Sequence, residues 1–398
     1  MRLSTSNAYN TALDSLVERQ AKLAGTQAQM TTGKRVNQAS DDPAAAARAE
    51  RALAAERRTV ASQRAVDASS NAMTLTESAL GDAGTLLQSA REALVAAGNA
   101  SYSDAERKGV ADQLQGLRDQ LFAVANRTDG SGLPLFGGQG STQAPFVDMP
   151  GGVQFQGTAG QVQAATSDAL PLTTDGEATW MQARTGNGVF ETRVITSTGT
   201  AVIDPGKVVD PSLLTGSTYS LQFSVVGSTT TFSVLKDGNP TAQTNLPFTP
   251  GQAIQIDGMS TTITGAPANG DSFGLAPSTA DLSVFDALDQ AIAALKTPGR
   301  TPTAIAQGNA IALTQLDAVL GQVISGRAQV GALMNRLDSV TDRLSALKLS
   351  SQTERSNAED LDMAQAISDF SNQQTGYDAA LKAYSMVQRL SLFNYLNV

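Results

Sequence analysis

The chain contains no cysteine and no histidine among its 398 residues. Without cysteine there is no disulfide, no thiolate nucleophile and no thiolate ligand for a metal ion. Without histidine the chain lacks the usual general base near neutral pH and the commonest metal-binding side chain. Ser-His-Asp, Cys-His and zinc-dependent mechanisms are therefore excluded, and the composition favours a protein that is not an enzyme.

Aromatic residues make up only 5% of the chain and charged residues 16%, although the apolar share is an ordinary 41%. A chain poor in aromatics and rich in alanine favours slender helical packing over a thick core. The net charge of −9 argues against nucleic acid as a partner, because phosphates would repel it. The sequence has no apolar run near the roughly 20 residues that span a bilayer, and its N-terminus lacks a signal-peptide core. We therefore expect no membrane association, and any export by a route without a cleaved signal.

Two polar motifs could suggest an active site or a phosphate-binding loop. Asp41 and Asp42 are adjacent carboxylates, but they directly precede Pro43, where acidic residues cap the positive end of a helix. Residues 137–140 read Gly-Gly-Gln-Gly, but neither a following Lys-Ser/Thr pair nor GxGxxG spacing is present. We expect Asp42 to be a helix cap and residues 137–140 to form a turn.

A third acidic motif, Glu359-Asp360-Leu361-Asp362, could hold Ca²⁺ but lacks the alternating ligands and the glycine of an EF-hand loop. It lies just before an apolar stripe, where acidic residues are expected at the start of a helix. Trp180, the only tryptophan, is expected in the core of a β domain. The sequence therefore predicts no catalytic residue, no cofactor-binding residue and no metal ligand.

Glycine divides the chain into three zones, because most of the 35 glycines lie between residues 131 and 280. The outer zones carry helical apolar periodicity, whereas the middle zone carries strand and turn signals. This order predicts an α+β protein, a long α-helical coiled bundle formed by both chain ends with an inserted β-rich outer domain. The predicted boundaries are 1–42 and 356–398 for terminal coiled-coil assembly helices, 43–134 and 279–355 for a rod-like helical core domain, and 135–278 for the outer domain.

Apolar residues repeat every seven residues, or in steps of four and three, over both helical zones. Such repeats keep one stripe of each helix facing a partner helix. The repeats show that each helix packs against another helix. They do not distinguish packing in a bundle core from packing between copies in a polymer. The repeats are Val66, Met73, Leu80, Leu87 and Leu94; Val110, Leu114, Leu117, Leu121 and Val124; Phe285, Leu288, Ile292 and Leu295; Leu313, Leu316, Leu320 and Val323; and Val330, Leu333, Leu337, Val340, Leu344 and Leu347.

Helix starts and hairpins are also marked in the sequence. Residues 103–106 form a capping box, and Thr301-Pro302 combines a cap with a proline in the first turn. Residues 219–225 and 231–235 alternate apolar and polar side chains, as strands with one buried face do. The predicted turns are Asp237-Gly238, Asn239-Pro240 and Asp257-Gly258.

The outermost helical segments have weaker apolar stripes than the rest. Gln20 and Gln27 interrupt the stripe of residues 3–32, and Gln374 interrupts that of residues 361–396. We expect both ends to be marginal alone and to become ordered in an assembly, the alternative being that they extend the bundle. The predicted assembly residues are the apolar members of these stripes: Leu13, Leu16, Leu23, Met30, Phe370, Tyr377, Leu381 and Tyr384.

Motifs at both ends resemble the flagellin superfamily. Residues 30–44 read Met-Thr-Thr-Gly-Lys-Arg-Val-Asn-Gln-Ala-Ser-Asp-Asp-Pro-Ala and are similar to its N-terminal signature, a Gly-centred break followed by Arg-x-Asn and a capping Asp-Asp. The motifs similar to its C-terminal pattern are Arg336, Ser356-Asn-Ala-Glu359-Asp360, Asp362-Met-Ala364 and Ser371-x-Gln373. The resemblance covers both helical zones, whereas residues 150–280 match no pattern that we can place.

Within the superfamily the chain looks more like a hook–filament junction subunit than like flagellin. It begins Met1-Arg-Leu-Ser-Thr5, has Tyr9, and carries Leu135-Phe-Gly-Gly138 and Pro145-Phe146 after the N-terminal helices. It ends Ser391-Leu-Phe-Asn-Tyr-Leu396 rather than in a short Leu-Leu tail. The alternatives are flagellin itself and a structural frame that carries an inserted enzyme domain.

The resemblance implies a structural subunit of the bacterial flagellum whose copies form a ring at the junction between hook and filament. It implies terminal helices nested along the filament axis and a β domain outside them. Its partners would be other copies of itself, the other hook-associated junction protein on the hook side, flagellin on the filament side and an export chaperone. The protein would be secreted unfolded through the flagellar type III channel and would work in the extracellular flagellum.

Five large apolar residues crowd the last turns of the chain, where exposed tails are usually polar. We expect neighbouring copies in the ring, or an export chaperone beforehand, to cover them. The alternative is that they close the bundle within one subunit. These residues are Leu390, Leu392, Phe393, Tyr395 and Leu396.

Overall fold

A computed structural model describes residues 5–99, 101–141, 143–164 and 168–396, with side chains for residues 9–386 of these ranges. The chain divides into two compact units. The first comprises residues 1–64 and 340–398, and the second comprises residues 65–339. The predicted α+β class with helical ends and a β-rich middle is confirmed.

Seven helices form the frame of the described chain, and long ones dominate it. A short 3-10 turn, Pro211–Leu213, lies among the strands. Proline in the first turn and capping side chains mark several helix starts, as the sequence predicts. The helices are α1 (Thr5–Thr32), α2 (Pro43–Ala97), α3 (Asp104–Ala125), α4 (Gly176–Trp180), α5 (Val284–Lys296), α6 (Pro302–Glu359) and α7 (Met363–Leu396).

The predicted helix starts are present as hydrogen bonds. Ser103 accepts from the backbone N–H of Glu106 while the Glu106 carboxylate accepts from the Ser103 N–H, which confirms the capping box of α3. The hydroxyl of Thr301 accepts from the N–H of Ala304 at 3.2 Å at the start of α6. These caps satisfy N–H groups that no helical carbonyl reaches.

The apolar repeats of the helices lie where the periodicity predicts. Every member is buried or half-buried except Leu347, which is 49% exposed. A straight α-helix drifts by about 20° per heptad relative to a strict repeat, so a late member of a run rotates off its seam. The α2 repeat is the most deeply buried, since none of its five members is more than 1% exposed.

A buried arginine ties α3 to its neighbours in the second unit. The side chain of Arg118 is 7% exposed, and its guanidinium donates to both carboxylate oxygens of Asp289 on α5, at 3.0 and 3.2 Å. It also donates to Asp148 on the first strand, and this bond raises the pKa of Arg118 most. Such a bidentate pair fixes the orientation of the two helices as well as their contact.

Twelve strands are described, in three antiparallel sheets. The first is the hairpin β1–β2. The second runs β10-β11-β4, with β5 also paired to β11, and the third runs β3-β12-β6-β7, with β8 and β9 both paired to β7. The strands are β1 (Phe146–Met149), β2 (Gly152–Phe155), β3 (Phe190–Thr196), β4 (Val202–Ile203), β5 (Lys207–Val208), β6 (Tyr219–Val226), β7 (Thr229–Lys236), β8 (Asn239–Pro240), β9 (Leu246–Pro247), β10 (Ala253–Ile256), β11 (Met259–Thr264) and β12 (Ser272–Pro277).

The two predicted Asp-Gly turns are confirmed, and the Asn-Pro turn is wrong. Asp237-Gly238 and Asp257-Gly258 join consecutive strands as two-residue loops with positive φ at both residues. Residues Asn239 and Pro240 are instead the short strand β8, paired with β7. Proline is tolerated there because an edge strand leaves one side of its backbone unpaired.

The second and third sheets share one apolar core in residues 184–281, which we call the β body. The alternation of β6 is confirmed, because its buried residues recur at every second position up to Phe223. The fully buried members of this core come from most of its strands. They include Phe190, Ile203, Tyr219, Leu221, Val234, Ile263, Phe273 and Leu275.

Trp180 is fully buried, but not in the core of the β body, so its predicted place is wrong. It lies at the end of α4 and stacks on Phe285 of α5, with ring centroids 6.1 Å apart. Phe136 and Phe146 contact it edge-on at 5.3 and 6.2 Å. The Leu135-Phe-Gly-Gly segment and β1 therefore belong to an aromatic core shared with the helices. The sequence did not predict this core, because the glycines around these residues are typical of the β-rich zone.

The predicted turn near residue 138 has a steric reason for its glycine. Gly138 has a φ of 62°, and a Cβ atom there would lie 1.9 Å from the carbonyl oxygen of Thr158. The turn predicted over residues 137–140 is confirmed only at residues 139 and 140, because Gly137 and Gly138 form isolated β-bridges with Asp175 and Thr158. A phosphate-binding role has no support from this packing against backbone.

The β body joins the helices at two places. Ala183 and Leu282 exchange backbone hydrogen bonds of 3.0 and 3.1 Å, so the chain enters and leaves the β body at one point. Gln307 on α6 is 7% exposed, and its side-chain amide accepts from the Ile203 N–H at 2.8 Å and donates to the Ile203 carbonyl at 3.2 Å. This amide continues the hydrogen bonding of β4 at a sheet edge.

The carboxyl group of Asp286, in the first turn of α5, is unfavourably placed for its charge. Burial raises its pKa, the charge of Asp289 raises it further, and Arg118 lowers it. The folded-state pKa therefore lies above that of the unfolded chain, so ionised Asp286 reduces stability at neutral pH. This cost disappears as the pH falls below the unfolded value of about 3.9.

The variant Asp286→Asn should melt at a higher temperature than the unmodified protein at neutral pH. The gain in unfolding free energy should be below about 1 kcal/mol, because solvent screens a half-buried group. The gain should shrink to nothing in acid, as thermal melts over a pH series would measure. Glu92→Gln removes an exposed carboxylate of α2 and serves as the control. A lower melting temperature for Asp286→Asn at neutral pH would contradict the conclusion that the ionised carboxylate of Asp286 reduces stability.

Candidate assembly interface at the chain ends

The first unit contains an antiparallel pair of helices, α1 and α7, which we call the terminal pair. Thr26 on α1 donates its hydroxyl proton to the side-chain carbonyl of Gln373 on α7 at 2.9 Å. Further along, the rings of Tyr9 and Tyr384 lie 5.5 Å apart. The two chain ends therefore pair with each other within one subunit.

The terminal pair buries very little of its own surface. Among its described side chains only Thr26 and Ala366 are buried, at 9% and 4% exposure. The predicted assembly residues lie on the pair, but none of those with described side chains is buried. Leu13 and Leu381 are each 43% exposed, and the half-buried members are Leu16, Leu23, Met30, Phe370, Tyr377 and Tyr384.

The structure also places exposed apolar side chains on the pair that the assembly prediction missed. Val17 is 59% exposed, Met363 45% and Met386 63%. The spacing of Val17 and Met386 off the main stripe hid these two, because a strict heptad count follows only one face. Ile367, which lies on the predicted stripe of residues 361–396, is 54% exposed as well. Two isolated helices can cover only one stripe each, so these side chains meet solvent in a single subunit.

A glutamine does interrupt the seam between α1 and α7, as predicted, but it is not one of the three that the sequence indicated. Gln20, Gln27 and Gln374 are all exposed, so they do not lie between the two helices. The polar residue in the seam is Gln373, one position earlier, which meets Thr26. The seam is weak because a hydrogen-bonded pair replaces two apolar side chains there.

The predicted tail residues are outside the part of the structure with described side chains. The backbone of α7 includes Leu390, Leu392, Phe393, Tyr395 and Leu396, since the helix ends at Leu396. For these five residues the structure therefore gives the course of the backbone alone.

The breaks between α1 and α2 and between α6 and α7 lie side by side and form what we call the joint, residues 33–42 with 358–362. The N–H of Arg35 donates to the carbonyl of Glu359 at 2.7 Å, and the N–H of Leu361 donates to that of Gly33 at 3.0 Å. Gly33 has a φ of 69°, the left-handed conformation that ends α1. Backbone hydrogen bonds therefore connect the two ends of the chain where both helices stop.

Arg35 is the side chain that holds the joint. Its guanidinium donates to the Asp42 carboxylate at 3.1 Å and to the carbonyl of Ala358 at 3.0 Å. Asp42 also accepts from the N–H of Ala45 at 2.9 Å at the start of α2. The bond from Ala45 lowers the pKa of Asp42 most, and Arg35 lowers it further. Asp42 thus caps α2 and holds Arg35 at once.

The other acidic residues of the joint have local partners as well. Asp41 accepts from the backbone N–H groups of Asn37 and Gln38, both at 2.9 Å. Glu359 pairs with Lys34 at 3.1 Å. In the described ranges no three carboxylates converge as they would around a metal ion. Both acidic motifs of the sequence therefore have structural partners in the joint.

Beyond the joint, α2 and α6 continue as a second antiparallel pair in the first unit. The carboxylate of Glu56 on α2 accepts from Arg355 at 2.9 Å and from Gln352 at 2.8 Å, both on α6. Across the described residues, no helix combines the length and the apolar character that crossing a membrane requires.

Both ends of the chain match known family models. Residues 3–141 match the bacterial flagellin N-terminal helical region, and residues 313–396 match the bacterial flagellin C-terminal helical region. Flagellar hook-associated protein 3 of Escherichia coli is 29% identical over 397 residues, 99% of each chain. These matches include the joint and the terminal pair.

Solved structures decide between members of the superfamily. The crystal structure of FlgL from Xanthomonas campestris is 30% identical, with a TM-score of 0.68 over 77% of this chain and 99% of that one. The chain belongs to the flagellar hook-associated protein 3 family, within the flagellin superfamily. Hook-associated protein 3 from Legionella pneumophila is 27% identical, with a TM-score of 0.70 over 77% of this chain and 96% of that one.

Membership of the hook-associated protein 3 family confirms a structural subunit of the hook–filament junction over the alternative, flagellin itself. It makes the chain a component of the flagellum, which lies outside the cell. The segments that match the flagellin models, residues 3–141 and 313–396, include the joint and the terminal pair of the first unit. The joint, rather than any pocket, is where the signature residues of both ends meet.

Replacing Arg35 with alanine should open the joint without unfolding the second unit. Backbone amides of Arg35 and Leu361 should exchange hydrogen faster, because the bonds that protect them depend on the placement of the two breaks. Exchange at Leu114 in α3 should not change. Hydrogen-exchange mass spectrometry or NMR would measure both regions.

The matched control is Lys22→Ala, which removes an exposed cation that pairs with Glu18 within α1 at 2.7 Å. It should leave exchange at the joint as in the unmodified protein. Equal protection of Arg35 and Leu361 amides in Arg35→Ala would show that the side chain does not hold the joint.

Proposed function

We propose that copies of this chain assemble into a ring between hook and filament through their terminal pairs. The observation that carries the proposal is the thin burial of the terminal pair, whose apolar side chains meet solvent in a single subunit. Covering one large apolar side chain contributes roughly 1.5–3 kcal/mol. Several such side chains per copy give a driving force that is realised only between copies.

The ring would contact one partner on each side. The other hook-associated junction protein would lie on the hook side and flagellin on the filament side. Both contacts would use helices that end in similar terminal pairs, because flagellin-type helical regions occupy both ends of this chain. We infer no enzymatic activity, since the chain lacks cysteine and histidine and its acidic motifs have structural partners.

Export would precede assembly. A chain without cysteine can cross an oxidising space unfolded without forming disulfides. The tail residues Leu390, Leu392, Phe393, Tyr395 and Leu396 would be covered first by an export chaperone and then by neighbouring copies. The protein would thus be secreted and would fold at the distal end of the hook.

We propose three functional parts with the boundaries that the sequence predicts. The terminal parts, 1–42 and 356–398, would assemble, and the helical part, 43–134 with 279–355, would support them. The outer part, 135–278, would stand outside the assembly, although its residues up to Trp180 pack in the helical aromatic core. Its β body would be dispensable for attachment, because the chain enters and leaves it between hydrogen-bonded Ala183 and Leu282.

Electron microscopy of cells lacking the protein tests the junction role. Hooks should be present and filaments absent, with flagellin released into the medium. Reintroducing the full chain should restore filaments. Cells that keep attached filaments without this protein would refute the proposed function.

Excision of the β body tests the division into parts. Residues 184–281 should be replaceable by a Gly-Ser linker of about two to four residues, the usual length of a hairpin loop. Attached filaments should persist, because the helical aromatic core keeps Phe146, Trp180 and Phe285. Electron microscopy and swimming assays would measure attachment.

The matched control is a larger excision, residues 145–281, which also removes Phe146 and Trp180. Loss of these rings from the helical core should cost about 3–5 kcal/mol each and leave an unstable subunit. If the smaller excision abolishes attachment while its product is stable and exported, the β body has a direct role in the junction.

A further inference from the structure

A second stripe of residues runs along α2 on the side away from the buried seam. Its members follow steps of four and three, as the apolar repeats do, yet every one is exposed. The buried alanines of the same segment, Ala45, Ala49 and Ala52, lie on the opposite side. The stripe, which we call the Ala/Arg edge, consists of Ala47, Arg51, Ala54, Arg58 and Ala61.

The two arginines of the Ala/Arg edge have no acidic partner in the described part of the subunit. Arg51 donates only to the carbonyl of Ala47 in its own helix, at 3.1 Å, and Arg58 makes no ion pair. The alanines between them are small, so a second helix can approach closely, at about 8 Å between axes. The edge therefore combines close approach with unpaired positive charge.

The outer face of helix α6, from Asp338 in the second unit to Thr353 in the first, has the complementary character. Leu349 is 66% exposed and lies opposite the buried Val340, Leu344 and Ser351. Asp342 is exposed two turns before it and makes no ion pair among the described residues, and Asp338 is exposed one turn earlier still. We call the exposed stripe Asp338, Asp342, Ser345, Leu349 and Thr353 the Asp/Leu edge.

These two edges cannot meet within one subunit. Glu56 on α2 and Arg355 on α6 face each other across the seam, so the two edges lie on opposite outer sides of the helix pair. Two helices side by side separate their outer faces by about 20 Å, since each is 10–12 Å wide. A positive edge and a negative edge on opposite sides are suited to stacking one copy beside the next.

We propose that the Ala/Arg edge of one copy docks on the Asp/Leu edge of a second copy of this chain. In an antiparallel contact, Arg58 pairs with Asp338 and Arg51 with Asp342, and the same register places Leu349 against Ala47. The contact joins different surfaces of the two copies, and repetition of such a contact closes into a ring when the rotation allows it. The inference rests on the proposed ring and names one surface within it.

Charge complementarity favours a second copy of this chain as the occupant of the Ala/Arg edge, rather than the hook-side junction protein or flagellin. The carboxylates of Asp338 and Asp342 are exposed and make no ion pair among the described residues, as Arg51 and Arg58 make none with an acidic side chain. A second copy of this chain therefore supplies the negative charges that the two arginines lack. Opposite potentials guide such docking and fix its register.

A charge swap tests the contact in cells. The variant Arg51→Glu/Arg58→Glu should reduce the number of attached filaments at least about tenfold, because it places like charges together. Adding Asp338→Arg and Asp342→Arg to the same chain should restore attachment. The control Lys108→Glu/Lys207→Glu makes the same change in charge at exposed positions of the second unit and should have no effect.

Cysteine cross-linking tests the geometry, since the natural chain has no cysteine. In purified hook–filament particles, Ala47→Cys/Leu349→Cys should give a ladder of linked copies under oxidising conditions, because a disulfide needs Cα atoms within about 7 Å. Either single variant alone should give no ladder beyond dimers. Reduction should collapse the ladder to monomers.

The outcomes separate this contact from the ring itself. Filaments retained without the protein refute the proposed function, whatever the variants do. Filaments lost without the protein, with full attachment in Arg51→Glu/Arg58→Glu or no ladder in the double-cysteine variant, overturn the docking of these edges alone. Failure of the charge swap to rescue a stable, exported chain overturns the ion pairs.

Discussion

The structure depends on one constraint, the small amount of apolar surface that two helices can bury against each other. In the terminal pair, Thr26 and Ala366 are the buried side chains among those described, while Val17 and Ile367 remain more than half exposed. A two-helix pair covers one stripe on each member and leaves the other faces in water. We propose that the apolar faces that remain open are surfaces for assembly.

The joint converts two weak chain ends into one element. Backbone bonds between Gly33 and Leu361 and between Arg35 and Glu359 connect breaks that are far apart in sequence. Arg35 and Asp42 add a side-chain link between the start of α2 and the end of α6. Whatever orders one terminal helix therefore also positions the other, so assembly contacts on α1 and α7 reinforce each other.

The helical frame and the β body have separate cores. Trp180 and Phe146 pack on α5, whereas Phe273 and Tyr219 pack within the β body. Among the described residues, the entry point between Ala183 and Leu282 and the amide of Gln307 connect the two by hydrogen bonds. Functional demands on the frame thus place few demands on the residues of the β body.

The sequence by itself determined the helix starts, the apolar seams, the Asp-Gly hairpins and the family, because each depends on residues close together in the chain. It also predicted assembly stripes at both ends, from Leu13 to Tyr384, and their assembly role stays a prediction. Only the tertiary structure decided that Trp180 belongs to the helical core and that Gln373 rather than Gln374 lies in the terminal seam. It alone brought Arg35 beside Ala358 and Glu359, because contacts between residues more than 300 positions apart depend on where two helix breaks meet in space. No periodicity records that meeting point.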